Sequence, residues 1–357
     1  MSDNTVLRFA LIGCGRVAGK HIEAISKLPQ AELVAICDIN ETIRNEKSEQ
    51  LKVPVYADYH SMLENEKIDI VNVLTDSGSH ADIVIDVAKY KKHIVVEKPM
   101  ALTLEDADAM IRECDRFNVK LFVVKQNRYN LPVQKLREAI EQGRFGKLVM
   151  GTIRVRWCRD QNYYDQADWR GTWARDGGVF SNQASHHVDL LEWMMGDVES
   201  VFARTETMLV DIETEDTGVA VLKFQNGALG VIEATTATRP VDLEGSITIM
   251  GEKGTVEIGG FAVNEMKVWN FSEKIEGDEK VLEKYKENPD SVYGFGHYEY
   301  LRHVIECIKH RETALVDGLG GRRSLELINA IYESSETGKD VYLRFKPKRC
   351  RLGEKMQ

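Results

Sequence analysis

Short apolar runs alternate with amphipathic stretches through the first third of the chain. Residues 7–12, 33–37, 70–74, 94–96 and 121–124 are rich in Val, Ile and Leu, as strands buried on both faces of a sheet require. Between them, 16–27, 41–51, 81–89 and 104–117 interleave apolar and charged residues at helical spacing. This alternation predicts a doubly wound α/β unit with a parallel sheet, which we place over residues 1–127.

Past residue 143 the texture changes. Residues 149–157 alternate, and 201–208, 217–224, 228–235, 246–250 and 255–258 follow as further strands. Gln225-Asn226-Gly227 and Gly251-Glu252-Lys253-Gly254 mark turns between them, and helical patterns interrupt at 182–195, 296–309 and 322–337. Residues 128–357 therefore read as an α+β unit with a large, mostly antiparallel sheet, expected to bind substrate and to mediate oligomerisation. One face of that sheet has no evident helical cover, which predicts a homo-oligomer. The chain shows no fixed-period repeat and no low-complexity linker, so the two units are expected to pack directly.

A length of 357 residues suits two domains, each able to bury a sizeable core. The net charge of −10 disfavours a nucleic-acid partner but leaves room for a local basic pocket. Cys14, Cys37, Cys114, Cys158, Cys307 and Cys350 are scattered, with no C-x-x-C pair, as in a protein with reduced thiols. Residues 1–5 carry no basic stretch, and no apolar run reaches the roughly 18 residues of a membrane span. The expectation is a cytoplasmic protein with no membrane partner. No metal site is expected either, because His186 and His187 lack the spacing that lets two imidazoles converge and no cysteine cluster helps.

Gly13-Cys14-Gly15-Arg16-Val17-Ala18 follows the first strand and opens the first helix, giving G-x-G-x-x-A. The first glycine permits the tight turn, and the second lets the backbone approach a pyrophosphate. The small third residue lets helix and strand close up, with the helix N-terminus facing the anion. Asp38 ends the second strand, where a carboxylate accepts the ribose hydroxyls of NAD and repels a 2′-phosphate. The first unit is thus read as a Rossmann domain for NAD.

Glu97-Lys98-Pro99 stands at the carboxyl end of the fifth strand. Farther on comes Gly178-Val179-Phe180-Ser181-Asn182-Gln183-Ala184-Ser185-His186-His187-Val188-Asp189. Together with the glycine string, these resemble the glucose–fructose oxidoreductase/inositol dehydrogenase/MocA (Gfo/Idh/MocA) family over essentially the whole chain. Asn182 stands where many members have Asp, Ala184 where they have Gly, and Asp76, after Thr75, where many have Pro. Four strings narrow the resemblance to the WlbA/WbpB-type branch: Val123-Val124-Lys125-Gln126-Asn127-Arg128; Tyr163-Tyr164-Asp165 with Trp169-Arg170-Gly171; Asn182 to His186; and residues 291–297.

That branch implies NAD-dependent oxidation of the 3-hydroxyl of UDP-N-acetylglucosaminuronic acid (UDP-GlcNAcA) for bacterial surface polysaccharide. It also implies a homotetramer. It leaves open how NADH is recycled, with 2-oxoglutarate as one candidate hydride acceptor. Lys98 and His186 are the implied catalytic pair, Lys98 touching nicotinamide ribose and substrate hydroxyl, and His186 exchanging the hydroxyl proton. Thr75, Ser77, His80, Glu97, Lys98 and Gln126 would complete the cofactor site begun by Gly13, Gly15, Arg16, Val17, Ala18 and Asp38.

On a regular helix Asn182, His186 and Asp189 share a face, and Asp189 could orient the His186 ring. His187 shares its stripe with Leu191 and Met194, as a packed histidine would, with substrate contact as the alternative. For a trianionic sugar nucleotide, Arg128, Arg154, Arg156, Arg159, Arg170 and Arg175 are candidate anion forks. Of these, Arg128, Arg154, Arg156 and Arg170, with Lys98, Tyr164, Asn182, Gln183 and His186, form the expected substrate set. For Arg154 and Arg156 a solvated or subunit-facing strand surface is an equal alternative. Tyr163, Tyr164, Trp169 and Trp173 could floor the sugar or uracil, or belong to core or interface. The rival functions are oxidation of a free polyol or sugar, and a non-catalytic NAD-binding sensor.

Overall fold

Residues 5–286 and 296–343 are described by the computed structural model; part of the 291–297 string and Cys350 lie outside them. The apolar runs of the first third form β1 (Leu7–Ile12), β2 (Ala31–Cys37), β3 (Val55–Tyr56), β4 (Ile70–Val73), β5 (His93–Val96) and β6 (Leu121–Val123). They pair in parallel in the order β3-β2-β1-β4-β5-β6. Helices α1 (Ala18–Lys27), α2 (Glu41–Leu51), α3 (Tyr59–Asn65), α4 (His80–Lys89) and α5 (Leu104–Arg116) make the crossovers. Asn40, Asp58 and Thr103 cap α2, α3 and α5 with their side-chain oxygens, which fixes where those helices begin. The order reverses between β1 and β4, so the carboxyl ends of those strands open the crevice in which such sheets bind ligands.

After α6 (Leu131–Glu141) the chain enters β7 (Leu148–Arg156), the short α7 (Gln161–Tyr164), α8 (Ser185–Met195), β8 (Val198–Glu206), β9 (Thr217–Phe224) and β10 (Leu229–Thr235). It continues through β11 (Glu244–Gly251), β12 (Gly254–Gly259), β13 (Glu265–Phe271), α9 (Asp278–Lys284), α10 (Gly296–His310), α11 (Gly318–Thr337) and β14 (Val341–Tyr342). The eight strands run β13-β12-β11-β7-β10-β9-β8-β14, antiparallel except for β7 beside β10. Alternation along β7 and β9 buries Ile153, Val155, Ala220 and Leu222 on one face, where α8 and α11 pack. The other face leaves Val219, Val221 and Leu229 about half exposed.

Sequence order misplaces one element. Helix α10 lies beyond residue 127, yet its Tyr300, Leu301, Val304 and Ile305 share a core with Leu7, Phe9 and Leu11 of β1. The chain crosses back to cover the first sheet, which ties the two units together. Among the described residues, no helix is long and apolar enough to cross a membrane, and Cys14, Cys37, Cys114, Cys158 and Cys307 carry free thiols.

Candidate active site

Gly13 leaves β1 at φ +90°, and a Cβ there would stand 2.8 Å from the Leu74 carbonyl carbon and oxygen. Only glycine lets the loop pass the end of β4 so closely. A Cβ on Gly15 would meet nothing within 4 Å, so the loop is open on the side a pyrophosphate approaches. Ala18, fully buried, lets α1 close against the sheet, with Val17 half buried before it. Asp38 braces the same loop: its Oδ2 accepts from Cys14 N at 2.7 Å and its Oδ1 from Asn40 N at 2.8 Å. Thr75 and Ser77 follow β4, where Ser79 Oγ donates to Thr75 Oγ1 at 2.8 Å. The cradle fits NAD.

Two expected cofactor contacts are corrected. His80 is buried with Nδ1 2.9 Å from Pro99 O and Nε2 3.2 Å from Thr75 O, so the ring is lodged between two backbone carbonyls, one nitrogen donating, instead of facing the crevice. Glu97 turns inward: Oε1 lies 3.0 Å from His21 Nε2 and Oε2 accepts from Lys98 N at 3.0 Å. The ring of His297 approaches Glu97 Oε1 at 3.9 Å. His21, Glu97 and His297 cluster closely enough to suggest a metal site. However, His21 Nδ1 already faces the Asn72 amide at 2.9 Å and its Nε2 faces Glu97, so the cluster is a hydrogen-bonded brace beneath the E-K-P turn. Gln126 lies almost wholly buried beside Gly296.

The helix expected over 182–195 has an irregular start. Val179–Gln183 make one turn of π-helix before α8 begins at Ser185. Its free N–H groups are held by a buried pair: Phe180 N donates to Glu215 Oε1 at 3.0 Å, and Gly178 N and Ser181 N each donate to Tyr332 Oη at 3.2 Å. Tyr332 in turn donates to Glu215 Oε1 at 2.9 Å. The change of helical pitch frees the Asn182 carbonyl, and Lys98 takes it. Lys98 Nζ donates to Asn182 O at 2.9 Å and to Asn182 Oδ1 at 3.2 Å. Burial pulls the Lys98 ammonium below the ordinary lysine value, against the pull of Glu97 and Asp176.

His186 and His187 separate as their exposures require. His187 is fully buried, edge-on to Trp157 at 5.6 Å between centroids. His186 keeps 7% exposure; its Nδ1 is sealed without a partner among the described residues, and Nε2 is the nitrogen not so enclosed. Burial first, then the charges of Lys98 and Lys125, hold its pKa well below the usual histidine value. The imidazole is therefore neutral and able to accept a proton.

Asp189 does not orient that ring. It takes a bidentate bond from Arg128, at 2.8 and 2.9 Å, with Lys125 Nζ 3.7 Å away. Arg128 thus has its fork engaged, which corrects the expectation of a free anion fork. Tyr164 is likewise corrected: it is 4% exposed, with its hydroxyl 3.2 Å from Thr236 Oγ1. Arg154 and Arg156 sit on the sheet face away from α8, paired with Glu244 and, for Arg156, Glu233. Period-two alternation puts them on the sheet face that carries the half-exposed Val219, Val221 and Leu229.

Arg170 lies close enough to lower both the Lys98 ammonium and the Asp176 carboxyl, with Nε sealed and without a partner among the described residues, and with Nη1 donating to Tyr163 Oη at 2.7 Å. Arg16 reaches the same ring from the glycine loop, 5.4 Å from its centroid, while donating to Gln166. Asn182 and Gln183 stand beside Lys98 and His186 in the π-turn and its end.

Sequence reasoning missed Lys125, Asp176 and Glu215. Lys125 lay inside a quoted string, and Asp176 directly precedes the glycine pair that opens the π-turn. Glu215 lies in a loop with no local signal.

Burial raises the Glu215 carboxyl from 4.5 to about 7. The folded state holds that proton while the unfolded state loses it, so stability falls as pH rises through this window. Glu215→Gln removes the slope. Relative to the parent, the variant is expected to gain up to about 3 kcal/mol between pH 4.5 and 7. Urea unfolding across that range checks this, and parallel curves would contradict it.

The fold and the site define a nicotinamide-dependent dehydrogenase. The chain belongs to the Gfo/Idh/MocA oxidoreductase family: residues 7–125 match its NAD-binding Rossmann fold and residues 137–343 its C-terminal alpha/beta domain. Among solved structures it is similar to the WlbA dehydrogenase from Bordetella pertussis in complex with NADH and UDP-GlcNAcA. That match has 45% identity and a TM-score of 0.90, covering 96% of this chain and 99% of that one. The WlbA dehydrogenase from Chromobacterium violaceum, in complex with the same two ligands, matches at 43% identity and TM-score 0.90, over 97% and 98%. Among curated proteins, the myo-inositol 2-dehydrogenase of Thermotoga maritima is 33% identical over 94% of this chain and 98% of its own length.

Proposed function

We propose that this enzyme uses NAD to oxidise the 3-hydroxyl of UDP-GlcNAcA to the 3-keto sugar, in the synthesis of a bacterial surface-polysaccharide sugar. The observation that carries this reading is the charge of the crevice. Lys98 stands beside a neutral His186, Arg170 is close enough to act on Lys98, and among the described residues neither cation is in an ion pair. A trianionic sugar nucleotide compensates them, and a free polyol does not. The two WlbA relatives, solved with UDP-GlcNAcA, support the same choice.

Bound NAD supplies the hydride acceptor. An ammonium has three donors; two of those on Lys98 are held by Asn182, which leaves one for the substrate oxygen. His186 accepts the hydroxyl proton through the nitrogen that faces the crevice. As negative charge develops on the substrate oxygen, Lys98 stabilises it electrostatically.

Absorbance at 340 nm is measured with NAD and UDP-GlcNAcA, or with myo-inositol, each with and without 2-oxoglutarate. NADH with the sugar nucleotide, or 3-keto sugar only when the 2-oxo acid is present, is the expected result. NADH with myo-inositol alone would favour the free polyol, the substrate class of the Thermotoga relative. No turnover with either, despite bound NAD, would favour a sensor.

The uncovered sheet face supports a homotetramer: Val219, Val221 and Leu229 lie half exposed on the face that carries the Arg156–Glu233 pair. A monomeric mass by light scattering would contradict it. We place the enzyme in the cytoplasm, where NAD and nucleotide sugars are made and thiols stay reduced.

A further inference from the structure

The Lys98 ammonium only donates, so it takes the Asn182 amide by its oxygen and leaves the amide nitrogen to be anchored from the other side. Asp176 anchors it. It is 1% exposed and in no ion pair among the described residues. Its Oδ1 accepts from Asn182 Nδ2 at 2.5 Å, and its Oδ2 from Gly171 N at 2.8 Å. An ionised carboxylate only accepts, so it draws the amide nitrogen to itself and turns Asn182 Oδ1 onto the Lys98 ammonium. Burial raises this carboxyl from 3.8 to about 6 against the opposing pull of Gly171 N, Asn182, Arg170 and Lys98, so it is ionised at neutral pH and above.

We propose that Asp176 is a positioning residue for the dehydrogenation: through the Asn182 amide it fixes the Lys98 ammonium, so that the remaining N–H points at the substrate oxygen. This rests on the reading of Lys98 as the group that holds that oxygen. Asp176 itself stays one amide away from Lys98. Its negative charge nonetheless favours the protonated amine.

Asp176→Asn tests this in the full-length enzyme with NAD and UDP-GlcNAcA. The expected result is a fall in kcat of roughly thirtyfold, with KM for the sugar nucleotide and the affinity for NAD within about threefold of the parent. The pH at which Lys98 titrates, followed by NMR of 13Cε-labelled lysine, is expected to move down. That readout needs no substrate, so it stands apart from the identity of the sugar. The double variant Asp176→Asn with Asn182→Asp exchanges acid and amide across the same hydrogen bond and places the carboxylate against Lys98. Its kcat is expected to recover to within about tenfold of the parent.

A kcat of Asp176→Asn within twofold of the parent, or an unmoved Lys98 titration, would overturn the proposal. If Asp176→Asn does not fold, the exchange variant decides alone, and a kcat more than tenfold below the parent would also overturn it. Lys98→Ala run alongside separates the two readings. If that variant turns over normally, the role of Lys98 itself is wrong. If it is inactive while Asp176→Asn is unaffected, only the present proposal fails.

Discussion

Lys98→Ala is expected to lower kcat about a thousandfold while NAD still binds within about threefold of the parent. The size follows from where the charge sits. The ammonium rests on Asn182 O and Oδ1 in a crevice whose burial already weakens its protonated form, so little water is at hand to replace it as a donor. The glycine loop and Asp38 lie on other elements and keep their own contacts, so cofactor affinity is spared. Fluorescence titration with NADH and single-turnover absorbance at 340 nm measure the two effects separately. A parallel loss of both would mean that Lys98 acts in cofactor binding.

His186→Asn is expected to lower kcat by a few hundredfold and to leave a rate that no longer falls on the acid side. The sign follows from the depressed pKa. The proton acceptor must be neutral, so kcat/KM for the parent stays level as pH falls through the ordinary histidine range and drops only below it. After burial, the charges of Lys98 and Lys125 are the causes that keep the imidazole neutral. A bound trianion offsets those charges, so the acid limb of kcat is expected at higher pH than that of kcat/KM. Lys98→Ala removes one of the two charges, and its residual activity is expected to show the limb shifted upward. A pH profile of His186→Asn that superimposes on the parent's would assign the proton to another group.

The resemblance to sugar-nucleotide dehydrogenases and the 33% identity to a myo-inositol 2-dehydrogenase meet on one scaffold. On the function proposed above, the surrounding charge is what separates them, and here that charge is Arg170 near Lys98, with Arg16 on the same tyrosine ring.

The sequence by itself determined the parts governed by local backbone chemistry. Continuous apolar runs became the parallel strands because both their faces are covered. Gly13 and Gly15 marked the cofactor turn by their place between strand and helix, and the structure agrees: a Cβ on Gly13 would strike the end of β4, while Gly15 faces open space. The family resemblance pointed to Lys98 and His186, while periodicity alone placed Lys98 just past a strand of such a sheet and His187 on the packed stripe.

What only the tertiary structure decided is how charges and polar atoms pair. Arg128 binds Asp189, Arg154 and Arg156 bind glutamates on the outer sheet face, and His80 and Glu97 brace the backbone. Helix α10 covers the first sheet from the far end of the chain, and the π-turn exposes the Asn182 carbonyl only because Glu215 and Tyr332 hold its start. Asp176 and Lys125 enter the site by the same route. A side chain's type and spacing show what it can bond, but the partner that satisfies it comes from a distant element. The fold makes that choice by bringing the two together, and for Arg128 and Asp189 it does so in a place that water barely reaches.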